Sequence, residues 1–151
     1  MKAVLQRVSK AGVVCGKKTV ADIGRGLLVL LGVAQDDTRA DCELLVDKIK
    51  HLRIFPDENG KMNLSLKDIK GAILVVSQFT LFADIYSGRR PSLSDAAPAS
   101  MAESLYEYVV AQFKKDEDIS VATGAFGEHM DVSLVNDGPV TILFDTKGTA
   151  Q

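Results

Sequence analysis

Hydrophobic and polar residues alternate from the first residues of the chain. Met1 to Ser9 reads as an extended segment with Val4, Gln6 and Val8 on one side and Ala3, Leu5 and Arg7 on the other. Ala11 to Cys15 and Thr19 to Ile23 flank Gly16-Lys17-Lys18, the pattern of a hairpin with an exposed basic tip. Gly26 to Val33 is apolar throughout and framed by glycine, which predicts a strand covered on both faces. Ala72 to Phe82, entered through Gly71 and rich in Val and Ile, predicts another apolar strand. Ile119 to Thr123 is a short one. Glu128 to Val135 and Val140 to Asp145 alternate cleanly and are joined by Asn136-Asp137-Gly138-Pro139.

Two segments switch to a helical period. Thr38 is placed to cap a helix with Asp41 three residues on, and Cys42, Leu45, Ile49 and Leu52 recur on one face. That helix is expected to end near Phe55-Pro56, before a turn at Asp57-Glu58-Asn59-Gly60. Pro98 suits the first turn of a second helix, whose buried stripe is Ala102, Leu105, Val109 and Phe113. Before it, Asp84 to Ala97 is polar and irregular, and in a compact chain such a segment is more often functional than idle. The pattern predicts an α+β fold: a mixed, largely antiparallel sheet or half-barrel packed with two main amphipathic helices, in a single domain spanning residues 1–151.

Composition narrows the function classes. A chain of 151 residues fits one domain, and 46% apolar with 25% charged residues is ordinary globular usage. With 18 basic and 20 acidic residues, net −2, it is not basic all over, as an indiscriminate nucleic-acid binder is; a local basic patch stays open. Cys15 and Cys42 have no Cys-x-x-Cys spacing and read as reduced thiols. With only His51 and His129 besides, soft ligands are too few at usable spacing for a zinc site. The first residues, with Lys2, Arg7 and Lys10, lack a signal-peptide pattern. The longest apolar run, Gly26 to Ala34, falls far short of the ~20 residues of a membrane helix, so a cytoplasmic protein without membrane association is expected.

Candidate chemistry gathers at a few places. Polar side chains appear abruptly in Ser77-Gln78-Phe79-Thr80-Leu81 after a buried run; they line a cleft or saturate backbone groups at a sheet edge. Asn136-Asp137-Gly138-Pro139-Val140-Thr141 reads as a hairpin turn, yet a proline after the glycine removes a ladder N–H. Two carbonyls turned outward there would suit a small ammonium group. Arg7 shares a face with Ala3 and Leu5 and calls for a partner, a structural salt bridge by default. Lys17, Lys18, Arg89 and Arg90 are candidate phosphate contacts or solvated charges. No Gly-x-Ser-x-Gly elbow, phosphate loop or dinucleotide fingerprint occurs.

Met-Lys-Ala-Val-Leu-Gln-Arg-Val at the start, Ser77-Gln78-Phe79-Thr80-Leu81, Arg89-Arg90-Pro91-Ser92, and Thr123-Gly124 through Asn136-Asp137-Gly138-Pro139-Val140-Thr141 together resemble the D-aminoacyl-tRNA deacylase family, from the first residue to about Asp145. The resemblance implies a homodimeric editing hydrolase with active sites at the subunit interface and no need of a metal or cofactor. Its substrate would be the ester joining a D-amino acid to the 3′-terminal adenosine of tRNA. It implies that Gly138 and Pro139, joined by a cis bond, enter the partner's site as a chirality gate that Arg7 helps to hold. Ser77, Gln78, Phe79 and Thr80 would be the catalytic lining and Met130 a further substrate-binding residue. Leu93 stands where the family pattern leads one to expect phenylalanine, and His129 is less typical. Rival readings are a related deacylase with a trans Gly-Pro bond acting on small L-aminoacyl esters, and a non-catalytic RNA-binding module.

Overall fold

The computed structural model describes residues 1–86 and 88–148. Its elements follow in the order β1 (Lys2–Cys15), β2 (Lys18–Ile23), β3 (Gly26–Gly32), α1 (Arg39–His51), β4 (Phe55–Pro56), β5 (Met62–Leu64), β6 (Ala72–Ser77), a 3-10 turn (Phe79–Phe82), α2 (Ala99–Lys114), β7 (Ser120–Thr123) and β8 (Asp131–Asp145). One sheet holds β2, β1, β3, β6 and β7 in that order, with β8 also pairing with β1. β1 is antiparallel to β2, β3 and β8, whereas β3–β6 and β6–β7 are parallel. The described residues form a single α+β domain with a mixed sheet and two helices, as the hydropathy pattern predicts.

Where the pattern expects two segments separated after Ser9, the structure has one strand with a bulge. Val8 faces Asn136 and Lys10 faces Val135, so Ser9 has no counterpart on β8. One extra residue inverts which side chains point inward. Ala3 and Leu5 accordingly join the core under the helices, and Ala11 and Val13 join the core on the other face. The first core includes Val29, Ile73, Leu45, Val109 and Phe113; the second, inside the curl of the sheet, includes Ile23, Leu28, Leu74 and Val76. β3 and β6 contribute to both, which explains their unbroken apolar runs.

α1 starts as expected. The Asp41 carboxylate accepts the Thr38 N–H at 2.8 Å and the Thr38 hydroxyl at 2.9 Å. Cys42, Leu45 and Ile49 are buried as the spacing predicts, and α1 ends at His51. Phe55-Pro56 is then not a helix end but half of a small hairpin with β5, since proline confines the preceding residue to extended backbone. Pro98 lies one position before α2 rather than in its first turn, because its ψ of 146° is extended. Its carbonyl accepts the Ala102 N–H at 2.9 Å. Leu105, Val109 and Phe113 are buried, joined by Tyr106 and Val110, while Ala102 is partly exposed. Among the described residues no helix is long and apolar enough to cross a membrane.

Candidate active site

The cleft begins where two parallel strands end together. Leu31 of β3 is in register with Ser77 of β6, and the Gln78 N–H reaches the Leu31 carbonyl at 2.8 Å. The sequence pattern carries β6 on to Phe82; in the structure it stops at Ser77 and winds into the 3-10 turn. Leu81 N–H then bonds the Gln78 carbonyl at 3.3 Å and Ala83 N–H the Thr80 carbonyl at 3.1 Å. Gly32, on the neighbouring strand, makes this possible. A Cβ there would stand 3.0 Å from the Gln78 carbonyl oxygen and 3.1 Å from the Phe82 ring.

The turn releases Ser77 to Thr80 from strand alternation. Ser77 and Phe79 line a cleft of about 430 Å³ together with Leu93, Phe126 and Met130. Gln78 and Thr80 belong to the same turn but not to the cleft wall, and the Gln78 side-chain amide donates to the Thr80 hydroxyl. Among the described residues the Phe79 and Thr80 N–H groups have no main-chain acceptor. Phe126, which the sequence reading did not single out, leans on Tyr106 with ring centroids 5.6 Å apart. Tyr106 in turn donates to the Val75 carbonyl at 2.8 Å, and burial pushes its hydroxyl up to about 12. A hollow of about 470 Å³ lined by Lys2, Phe82, Asp95 and Lys147 contains none of the residues singled out from the sequence.

The Asn136 to Pro139 stretch is not a hairpin. Both halves of β8 pair antiparallel with β1, Asn136 opposite Val8 and Thr141 opposite Gln6, so Asp137 to Val140 bulge out over Arg7 within one continuous strand. The local turn chemistry is the same in either case; pairing with a single partner strand decides. Asn136 closes the base of the bulge, accepting the Val140 N–H at 2.8 Å and donating to the Val140 carbonyl at 3.2 Å. The Gly138–Pro139 peptide bond is cis, and both residues are exposed.

Arg7, 8% exposed, sits beneath the bulge. It donates Nε–H to the Asp137 carbonyl at 2.7 Å and Nη1–H to the Ile54 carbonyl at 2.5 Å. The Asp137 carboxylate lies 3.5 Å from Nε. The expected salt bridge is present, with closer contacts to main-chain oxygens. Within one chain this assembly is remote from the cleft. The register runs from the bulge through Arg7 and Leu27 to Ile73, and Ser77 lies farther along β6, roughly 20 Å over the sheet from the corner.

Lys17 and Lys18 are exposed at the β1–β2 turn. Arg89 and Arg90 are exposed on a different element, the excursion that leaves after the 3-10 turn and returns at Leu93 in the cleft wall. His129 is exposed, 3.8 Å from Asp131, and His51 contacts Asp47 on α1, so neither is a partner for Thr80. Among the described residues no group of three or more His, Cys, Asp or Glu could hold a metal ion.

A turn carrying open main-chain donors, beside a cleft and without an imidazole, is suited to an ester that is already reactive. The family model described as D-Tyr-tRNA(Tyr) deacylase matches residues 4–145. A D-aminoacyl-tRNA deacylase of Thermosipho melanesiensis is 57% identical over 147 residues, 97% of this chain and 98% of that protein. That of Clostridioides difficile is 55% identical over 146 residues, 97% of each. A solved structure titled c-Myc DNA Unwinding Element Binding Protein superposes with a TM-score of 0.89 at 43% identity, covering 96% of this chain and 98% of that one. The comparisons place the chain among hydrolases that act on an aminoacyl-tRNA ester. The chain belongs to the D-Tyr-tRNA(Tyr) deacylase family.

Proposed function

We propose that this protein hydrolyses the ester between a D-amino acid and the 3′-terminal adenosine of tRNA, releasing both, as a cytoplasmic homodimer. Each protomer lends its Gly138–Pro139 corner to the partner's cleft. Family membership over residues 4–145 supports the substrate class. The observation that carries the shared site is the corner itself, exposed, braced by Arg7 and Asn136, and remote from the cleft of its own chain.

The Gly138 and Pro139 carbonyls hold the substrate ammonium at the mouth of the partner's cleft. With the ammonium and ester fixed, a D side chain points outward whatever its size, while an L side chain meets main chain. Selection is by exclusion. Glycine has no side chain to exclude, so glycyl-tRNA is cleaved as well. The Phe79 and Thr80 N–H groups take the charge that develops on the ester carbonyl oxygen. Water attacks, assisted by the 2′-hydroxyl of the terminal ribose. Thr80, whose hydroxyl accepts from Gln78, acts as a positioning group by holding the turn beside the cleft rather than as the nucleophile. Ser77 and Met130 shape the wall. Lys17, Lys18, Arg89 and Arg90 supply salt-sensitive phosphate contacts.

Purified protein with chelator present should deacylate D-Tyr-tRNA and Gly-tRNA and spare L-Tyr-tRNA. Binding of tRNA with no turnover of the D ester would leave a nucleic-acid-binding module instead. An intact Gly-tRNA beside a cleaved D-Tyr-tRNA would remove selection by exclusion.

A further inference from the structure

The excursion between Asp84 and Ser92 is flanked in sequence by Phe79 and Leu93, which line the cleft. Its base is strapped by reciprocal main-chain bonds, Asp84 N–H to the Ser92 carbonyl at 2.8 Å and Ser92 N–H to the Asp84 carbonyl at 2.9 Å. Immediately before it comes the 3-10 turn, and immediately after it comes Leu93 of the cleft wall. Within the excursion Tyr86 is 93% exposed and Ile85 65%, and the Tyr86 N–H is fixed by the Asp84 carboxylate at 2.9 Å. Arg89 and Arg90 follow, both exposed.

A lone exposed aromatic is unremarkable on a protein surface. This one is the most exposed of the large hydrophobic side chains, shares its loop with two arginines in a chain of net charge −2, and belongs to an excursion whose flanks, Phe79 and Leu93, line the cleft. Aromatic rings beside arginines are the chemistry that binds single-stranded nucleic acid: the ring stacks on a base face and the guanidinium groups take the phosphates. The end of a tRNA that carries the amino acid is single-stranded, so its last unpaired bases pass the rim when the ester lies in the cleft.

We propose that Tyr86 is the stacking platform for an unpaired base just upstream of the esterified adenosine, with Arg89 and Arg90 on the adjoining phosphates. This rests on the assignment of the cleft to the aminoacyl-adenosine end. Stacking reads no base identity, so the platform serves every tRNA with the same unpaired end.

The test separates the two claims by comparing D-Tyr-tRNA with D-tyrosyl-adenosine, which has no upstream nucleotide. Tyr86→Ala should raise KM for the tRNA about tenfold, leave kcat nearly unchanged, and leave cleavage of D-tyrosyl-adenosine as in the parent. Tyr86→Phe should behave as the parent, and Arg89→Ala should lower the salt slope of tRNA affinity by about one. The chain has no tryptophan, so Tyr86→Trp supplies a single indole. Its fluorescence should be quenched by an acceptor minihelix with an unpaired 3′ end and not by a blunt one. An unchanged KM in Tyr86→Ala, or an indole indifferent to the unpaired end, overturns the platform. Failure of the parent on both esters overturns the cleft assignment, while the quenching still reports on Tyr86.

Discussion

Arg7 Nε–H and the Asp137 carbonyl are 2.7 Å apart, joining the first strand of the sheet to the residue just before the exposed corner on the last one. The same guanidinium reaches the Ile54 carbonyl at 2.5 Å, so one buried side chain satisfies two main-chain acceptors, the second of them buried. Arg7→Ala should cost about 3 kcal/mol in a urea titration, because both acceptors and the Asp137 carboxylate lose their donor. Arg7→Lys should recover part of it, since an ammonium lacks the planar fork that spans two carbonyls. Equal midpoints for the parent and Arg7→Ala would show the contact to be idle.

Asn136→Asp keeps an acceptor for the Val140 N–H and removes the donor to the Val140 carbonyl. A loss of about 1 kcal/mol is expected, together with measurable hydrolysis of L-Tyr-tRNA as the corner loosens. Folded protein that still spares the L ester would place the clamp outside selection.

Thr80→Ala removes a hydroxyl but leaves the Phe79 and Thr80 N–H groups in place. Single-turnover deacylation should fall by about tenfold at most, against the roughly 10²–10³ that follows loss of an oxyanion donor. Activity at background in folded Thr80→Ala protein would reinstate a threonine nucleophile.

Asp41 carries a pH signature. Burial opposes its ionisation, but the Thr38 N–H and hydroxyl donors, the Thr146 hydroxyl and the nearby Lys147 ammonium together outweigh that and bring the carboxyl from 3.8 to about 2. A carboxyl depressed on folding stabilises the fold above its unfolded value, and that contribution fades as pH falls from about 4 through about 2. Asp41→Asn should therefore cost about 1–2 kcal/mol at pH 7 and almost nothing near pH 2. A difference in denaturation midpoint that persists unchanged at pH 2 would exclude this origin.

The features legible in the sequence were those set by near neighbours. Thr38 with Asp41, the stripe through Leu45 and Ile49, and the apolar runs of β3 and β6 each follow from local spacing. Met1 to Ser9 and Ala11 to Cys15 were readable as extended segments, but whether they are two strands or one bent strand depends on β8, far along the chain. Phe79 to Phe82 has strand-like composition, and Gly32 on the neighbouring strand gives it room to coil. Phe126 escaped notice because nothing in its own segment marks it; it matters through Tyr106 on α2. Within the site, residue types were readable and distances were not. Ser77, Phe79 and Met130 meet at one cleft, whereas Gly138 and Pro139 lie a sheet's width away from it.

β8 gives the corner an unusual mechanical standing. Held by ladder bonds to β1 on both flanks and by Asn136 across its base, the corner is neither a lid nor a hinged flap, and swinging it away as a whole would require unzipping part of the β1–β8 pair. Under the proposed function a ligand meets a fixed template there, so discrimination should survive warming until the sheet itself melts, and the ladder amides of the two flanks paired with β1 should exchange by global unfolding rather than by local breathing.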